Sequence, residues 1–362
     1  MIKAIAITSQ LVGILLSTMA IASDIHGRFD VGSGYVAHPL GLRDDTAAGY
    51  LNGVLILNTS LPNDAHTVKF GYEGTATLFG QDTDLGSRRH ALGVEWYRGT
   101  NARRDGLSAG TQVSIRNHDG FYGVYDYTEG YGYFAFKRYL DGRTLGRGFA
   151  ALRIRRYGDL PEESYIEPHA HLEVQRYAES RTTLGLAIDY GLKLFDDSSA
   201  PLIWDTHTTP TTSQIVARIN LAQGFSERVS LRGWIAGLWN LSDFPHYVAE
   251  DVYDSPVLDH YAYDGLDSRL ILKILGPAQT WLEVGGSWGR HDYGKMLFAS
   301  EGGGSLREDD VAAVFMGLER RLGGGPSSPQ LRFHLGWRDQ DSIIPNYDYS
   351  GSYVTSSLSL NW

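Results

Sequence analysis

The chain has 362 residues, with 43 Gly, 22 Tyr, 13 Phe and 8 Trp but no Cys, and its formal charge is −10. Abundant glycine without a collagen period, and abundant aromatics without low complexity, exclude fibrous and disordered chains. The acidic balance disfavours a nucleic-acid partner, and the lack of Cys removes any disulfide framework.

Met1-Ile2-Lys3, the apolar stretch Ala4 to Met19 and the small residues Ala20-Ile21-Ala22 form the pattern of an export signal cleaved after residue 22. An uncleaved anchor helix is the alternative, opposed by Thr8-Ser9-Gln10 within the run and Ser23-Asp24 after it. A single domain over residues 23–362 is expected to follow. No apolar run of about 20 residues occurs beyond the N-terminus, so spanning helices are excluded.

From Phe29 onward the dominant period is two. Leu184, Leu186, Ile188, Tyr190, Leu192 and Leu194 alternate with Gly185, Ala187, Asp189, Gly191 and Lys193, giving one apolar face and one small or charged face. The same alternation runs through Leu270, Leu272 and Ile274, and through Leu331, Phe333, Leu335 and Trp337. These runs match the roughly 9–11 residues that a tilted strand needs to cross a bilayer.

Connection lengths alternate as well. Short polar joints fall at 62–65, 101–105, 141–145, 179–181, 226–227, 277–279 and 323–329. Longer segments lie between them at 39–48, 81–87, 118–125, 158–164, 196–212, 241–264, 292–308 and 340–350. Short turns on one side and long loops on the other are the transmembrane-barrel pattern, with turns in the periplasm and loops outside. The expected fold is all-β: a closed antiparallel transmembrane β-barrel of 16 strands. Fourteen is the alternative, because Asp119-Gly120 and Glu129-Gly130 can each mark a turn within 116–140.

The C-terminus carries a resemblance. Val354, Ser356, Leu358, Leu360 and Trp362 share one face, and the chain ends on an aromatic residue. This resembles the closing strand of Gram-negative outer-membrane β-barrel proteins, whose last strand is read by the barrel-assembly machinery. The resemblance implies outer-membrane location, contact with lipid and lipopolysaccharide, and an assembly signal at Leu358, Leu360 and Trp362. Trp96, Trp239, Trp288 and Trp337 then sit on lipid faces as the interfacial girdle.

Following the dyad places Lys69, Arg116, Lys137, Arg153, Arg155, Lys193, Arg218, Arg232, Arg269, Lys273, Arg321, Arg332 and Arg338 in the lumen. Glu73, Glu95, Glu173, Asp189, Glu283 and Glu319 accompany them. The acids in excess lie in the loops: 241–264 holds Asp251, Asp254 and Asp259 among aromatics such as Phe244, Tyr247 and Tyr261. A basic wall beneath an acidic mouth points to a channel for small solutes with a mild preference for anions. Arg153, Arg155, Arg232 and Arg332 are its expected carriers. Pairing of wall charges and solvation of the loops account for the same pattern without selectivity.

Other chemistries have less support. No G-x-S-x-G occurs and no serine is singled out, so an outer-membrane hydrolase using His246, His260 and loop acids is the lesser alternative. His169, His171 and Glu173 share a strand face but read as polar lining, so no metal site is assigned. Gly32-Ser33-Gly34 lacks a following helix, and no cofactor is expected. A non-conducting barrel displaying its acidic aromatic loops to a partner is the main competitor of the channel.

Overall fold

The computed structural model describes residues 25–38, 47–63, 66–80, 85–99, 105–195, 211–242, 263–300, 303–325 and 327–362. They form sixteen strands in one closed antiparallel barrel, each paired with its chain neighbours. The first eight are β1 (Ile25–Val36), β2 (Ala48–Pro62), β3 (Thr67–Phe79), β4 (Ser87–Gly99), β5 (Gly106–His118), β6 (Tyr127–Tyr139), β7 (Thr144–Tyr157) and β8 (Tyr165–Tyr177). The rest are β9 (Thr182–Phe195), β10 (Thr211–Gly224), β11 (Val229–Asn240), β12 (Asp264–Leu275), β13 (Thr280–Ser300), β14 (Gly303–Arg321), β15 (Gln330–Ser342) and β16 (Tyr349–Asn361). Fourteen strands are therefore excluded. Between β5 and β6 the turn is a short 3-10 segment, Gly120–Tyr125, whereas Glu129-Gly130 lies inside β6.

Alternation decides the faces. On β9, Leu184, Leu186, Ile188 and Tyr190 are exposed on the outside, while Ala187 and Lys193 are buried on the inside. A closed ladder leaves no edge strand with unpaired amides. Closure is made by β1 against β16, from Arg28 opposite Asn361 to Val36 opposite Tyr353. The Gly27 N–H donates to the Trp362 carbonyl at 2.9 Å, and the Trp362 N–H returns a bond to the Gly27 carbonyl at 3.0 Å. Leu358, Leu360 and Trp362 share the outer face of this seam, which a polar residue there would expose to lipid.

Short joints lie at one end and longer connections at the other. In the β12–β13 joint the Gly276 N–H donates to the Thr280 carbonyl at 2.8 Å, and Ala278 and Gln279 take left-handed φ values of 52° and 54°. Two long connections differ from expectation. The segment 292–308 is largely strand: β13 runs to Ser300 and β14 starts at Gly303, with a register shift between Tyr293 and Leu297. Backbone pairing between two chain-adjacent strands continues past the wall because each satisfies the other's amides, whatever the side-chain pattern. The 340–350 connection shrinks likewise, since β15 reaches Ser342 and β16 begins at Tyr349.

Candidate functional site: the barrel lumen

Register carries each inward residue around the wall. Gly185, Asn220, Trp234, Arg269, Ser287, Ala313 and Arg338 form one ladder across seven strands, all on the inner face. Small residues at Gly185 and Ala187 leave space that the longer side chains of neighbouring strands do not fill. The result is a cavity of about 970 Å³ inside the barrel, bounded by β4–β12. Lys137, Arg147, Arg218, Arg232 and Arg269 line it, with Glu95 and Glu173, and Tyr97, Phe149 and Trp234 supply ring surfaces.

All thirteen basic and six acidic residues followed by the dyad lie on the inner face by register. Register adds Arg28, Arg89, Arg147 and Arg307, and the acids Asp30, Glu129, Glu167, Asp267 and Asp309. Most of these share parity with residues already picked: Arg147 with Arg153, Glu167 with Glu173, Asp267 with Arg269. Extending the dyad toward the strand ends finds them. Arg307 escapes that search because its segment reads as loop.

Pairing separates the wall charges into two groups. Glu73 binds Arg89 at 3.0 Å, Glu95 binds Lys69 at 2.9 Å and Glu283 binds Lys273 at 3.0 Å. Glu129 holds Arg155 at 2.7 Å, Glu167 holds Arg153 at 2.8 Å and Glu319 holds Arg332 at 3.1 Å. Glu173 engages Arg147. Three of the four arginines expected to carry anion preference, Arg153, Arg155 and Arg332, are thus neutralised by cross-strand acids. Arg232 stands 3.7 Å from Glu283 and remains exposed. Among the described residues, Lys137, Arg218 and Arg269 have no carboxylate at ion-pair distance; they lie over the rings of Tyr139, Trp234 and Phe315 at 5.4, 5.3 and 4.8 Å. Arg116 contacts Ser87, and Lys193 is fully buried against the Tyr165 ring at 4.8 Å.

The long-loop end narrows around two buried clusters. On β6–β9, Tyr127, Tyr157, Tyr165 and Phe195 enclose Arg155, whose guanidinium lies 4.3 Å from the Tyr127 ring. On β13–β15, Arg307 lies between the rings of Tyr293 and Tyr347 at 4.5 and 3.5 Å. Asp309 holds it, taking further bonds from Gln340 at 3.1 Å and Ser342 at 2.6 Å. Tyr347 belongs to the β15–β16 connection, so this cluster draws that connection inward; burial pushes its phenol above the ordinary value. Asp126, before β6, accepts the His118 N–H at 2.6 Å; burial, with the charges of Asp159 and Asp119, holds its carboxyl above the usual range against that bond.

His171 and His169 both address Asp189, at 2.7 and 3.7 Å, and His171 stacks on Phe149. Among the described residues no His, Cys, Asp or Glu group has metal-holding geometry. Trp239, Trp288 and Trp337 are exposed on the outer face, and Trp96 shares that face on β4. Phe244, Tyr247, Asp251, Asp254, Asp259, Tyr261, His246, His260 and the segment 1–22 lie outside the described residues.

No family model matches the chain. No curated protein matches it either. Solved structures do share its architecture. OpdK of Pseudomonas aeruginosa, solved with vanillate, aligns at TM-score 0.53 and 10% identity over 94% of this chain and 100% of that one. OccAB1 of Acinetobacter baumannii aligns at 0.52 and 8% over 94% and 97%. A bacterial polysaccharide outer membrane secretin aligns at 0.51 and 12% over 93% and 98%. At such identities the likeness is one of fold, and the chain has the porin-like architecture of these proteins: a closed sixteen-strand antiparallel barrel.

Proposed function

We propose that this chain is an outer-membrane channel for passive diffusion of small solutes, with a preference for anions. One observation carries the reading: among the described residues, Lys137, Arg218 and Arg269 face the main lumen cavity with no carboxylate at ion-pair distance, while Glu95 and Glu173 in the same cavity are each held by a cation. Fixed cations outside close ion pairs on a low-dielectric wall attract anions and repel cations. The rings beside them give the Lys137 ammonium and the Arg218 and Arg269 guanidinium groups an apolar face to lie over. Vanillate, present with OpdK, is a small organic anion of the kind this wall suits.

In planar bilayers under a salt gradient, the wild type should give a reversal potential of anion-selective sign. That potential should shrink between 0.1 M and 1 M salt, as the screening length falls from about 10 Å to about 3 Å. The combined Lys137→Gln, Arg218→Gln and Arg269→Gln variant should move it toward cation selectivity. Arg332→Gln should move it less, because it changes one charge and not three, at a position that does not line the main cavity. A wild type that inserts without conducting would replace the channel by the plugged binding barrel.

Orientation follows loop length, so the short joints face the periplasm in this reading. The Cys-free chain makes the test direct. Phe121→Cys, in the 3-10 segment of the β5–β6 connection, should react with an impermeant maleimide on intact cells. Glu227→Cys, in the β10–β11 joint, should react only after the outer membrane is opened. The reverse pattern would invert the barrel.

A further inference from the structure

A second cavity, of about 430 Å³, opens near the long-loop end where β1, β2 and β3 meet β15 and β16. It is separate from the main cavity and shares no lining residue with it. Ring faces bound it: Tyr50, Phe79, Tyr349 and Tyr353. Asn52, Thr77 and Thr355 contribute amide and hydroxyl groups between the rings.

Two glycines shape this wall. A Cβ on Gly34 would stand 2.6 Å from the Tyr50 ring, and one on Gly336 would meet the Tyr353 hydroxyl at 2.5 Å. Neither backbone is left-handed, so what these positions need is the missing side chain and not the conformational freedom. The two tyrosines therefore lie against the wall across bare backbone, leaving the volume in front of them open.

Arg338 is the cation of this cavity. It donates to Gln340 Oε1 at 3.2 Å, and its guanidinium is 5.8 Å from the Tyr349 ring centroid. Among the described residues no carboxylate stands at ion-pair distance from it. The cavity thus joins several apolar ring faces to a guanidinium that no described carboxylate neutralises at ion-pair distance, a fork of N–H donors that suits capture of a carboxylate.

We propose that this cavity is a binding subsite for a small carboxylate built on a six-membered ring, with the ring against Tyr50 and Tyr353 and the carboxylate on Arg338. An acyclic acid satisfies the guanidinium but leaves the ring faces wet. An aromatic acid and a hexuronate share the needed chemistry, an apolar ring face and one carboxylate, and Asn52, Thr77 and Thr355 suit the hydroxyls of the second. The proposal depends on the channel reading only for the solute's route to the site, so binding and conduction test the two separately.

The full chain in detergent micelles would be titrated with benzoate, galacturonate, acetate and benzamide by saturation-transfer NMR. Benzoate and galacturonate should compete for one site, and acetate should bind at least about tenfold more weakly, given what ring contacts contribute. Binding of only one of the two ring acids also supports the site and names its class. Tyr50→Ala and Tyr353→Ala should each weaken benzoate by roughly three- to tenfold, while Tyr353→Phe retains the ring and should bind like the wild type. Arg338→Gln should abolish the preference for benzoate over benzamide. Heat-modifiable gel mobility checks that each variant is folded. Unchanged benzoate binding in folded Tyr353→Ala and Arg338→Gln overturns the subsite, as does its loss in Arg218→Gln alone, which places the ligand in the larger cavity. A conducting barrel with that outcome keeps the channel and loses the subsite; a non-conducting barrel with the expected binding pattern does the opposite.

Discussion

Asp309→Ala should lower the stability of the barrel by about 3–5 kcal/mol, the cost of leaving a buried charge without its partner. Asp309 is 1% exposed and Arg307 3% exposed, so neither charge has water to fall back on. The carboxylate takes both Arg307 Nε contacts at 2.9 Å and the bonds from Gln340 and Ser342, and its removal strands all of those donors at once. The rings of Tyr293 and Tyr347 offer the guanidinium a favourable face, which does not replace the charge of a carboxylate. Asp309→Asn keeps the shape and one acceptor oxygen but replaces the other with an NH2 donor, and should lose less than alanine. Replacing both partners, Asp309→Ala with Arg307→Met, should recover much of the loss, because no buried charge then remains. Urea midpoints in lipid vesicles check the series; a double variant as weak as the single one would mean that packing of the β15–β16 connection, and not charge, dominates.

Leu186→Arg and Ala187→Arg, one residue apart on β9, should differ several-fold in cost. Leu186 is 56% exposed on the outer face, so arginine there meets hydrocarbon and should cost about 2–4 kcal/mol near mid-membrane. Ala187 is 8% exposed and borders the main cavity, opposite Glu173 on β8 and Arg218 on β10. An arginine at 187 reaches water and the Glu173 carboxylate, and should cost a small fraction of that. The comparison holds strand, depth and residue type nearly constant while changing only the face. Equal unfolding midpoints would contradict the assignment of inside and outside.

How far the amino-acid sequence reaches is clearest in β7 and β14. On β7 the parity that puts Arg153 and Arg155 inside is legible residue by residue, because side chains alternate at a period of two whatever their partners are. That Glu167 and Glu129 neutralise them is not legible. Those acids arrive from β8 and β6, and the match depends on register, which joint geometry and the whole closed ladder set together. The proposed anion preference therefore rests on Lys137, Arg218 and Arg269 and not on the arginines expected to carry it, a change that sequence parity alone cannot make. On β14 the Gly-rich, charged stretch before Asp309 reads as loop, since its residue types show no apolar alternation, yet the ladder with β13 continues there because backbone amides pair irrespective of side chain.

By itself, then, the sequence determined the barrel class, the strand number within one alternative, and the face of the wall residues outside 292–308; all three follow from local periodicity and connection length. Only the tertiary structure decided which charges cancel and where cavities remain. Both depend on residues brought together across strands: Glu173 beside Arg147, Gly336 beneath Tyr353, Arg338 with no acid at ion-pair distance among the described residues. Coulomb pairing and free volume are properties of neighbours in space, and in a closed sheet those neighbours lie tens to hundreds of positions apart in the chain.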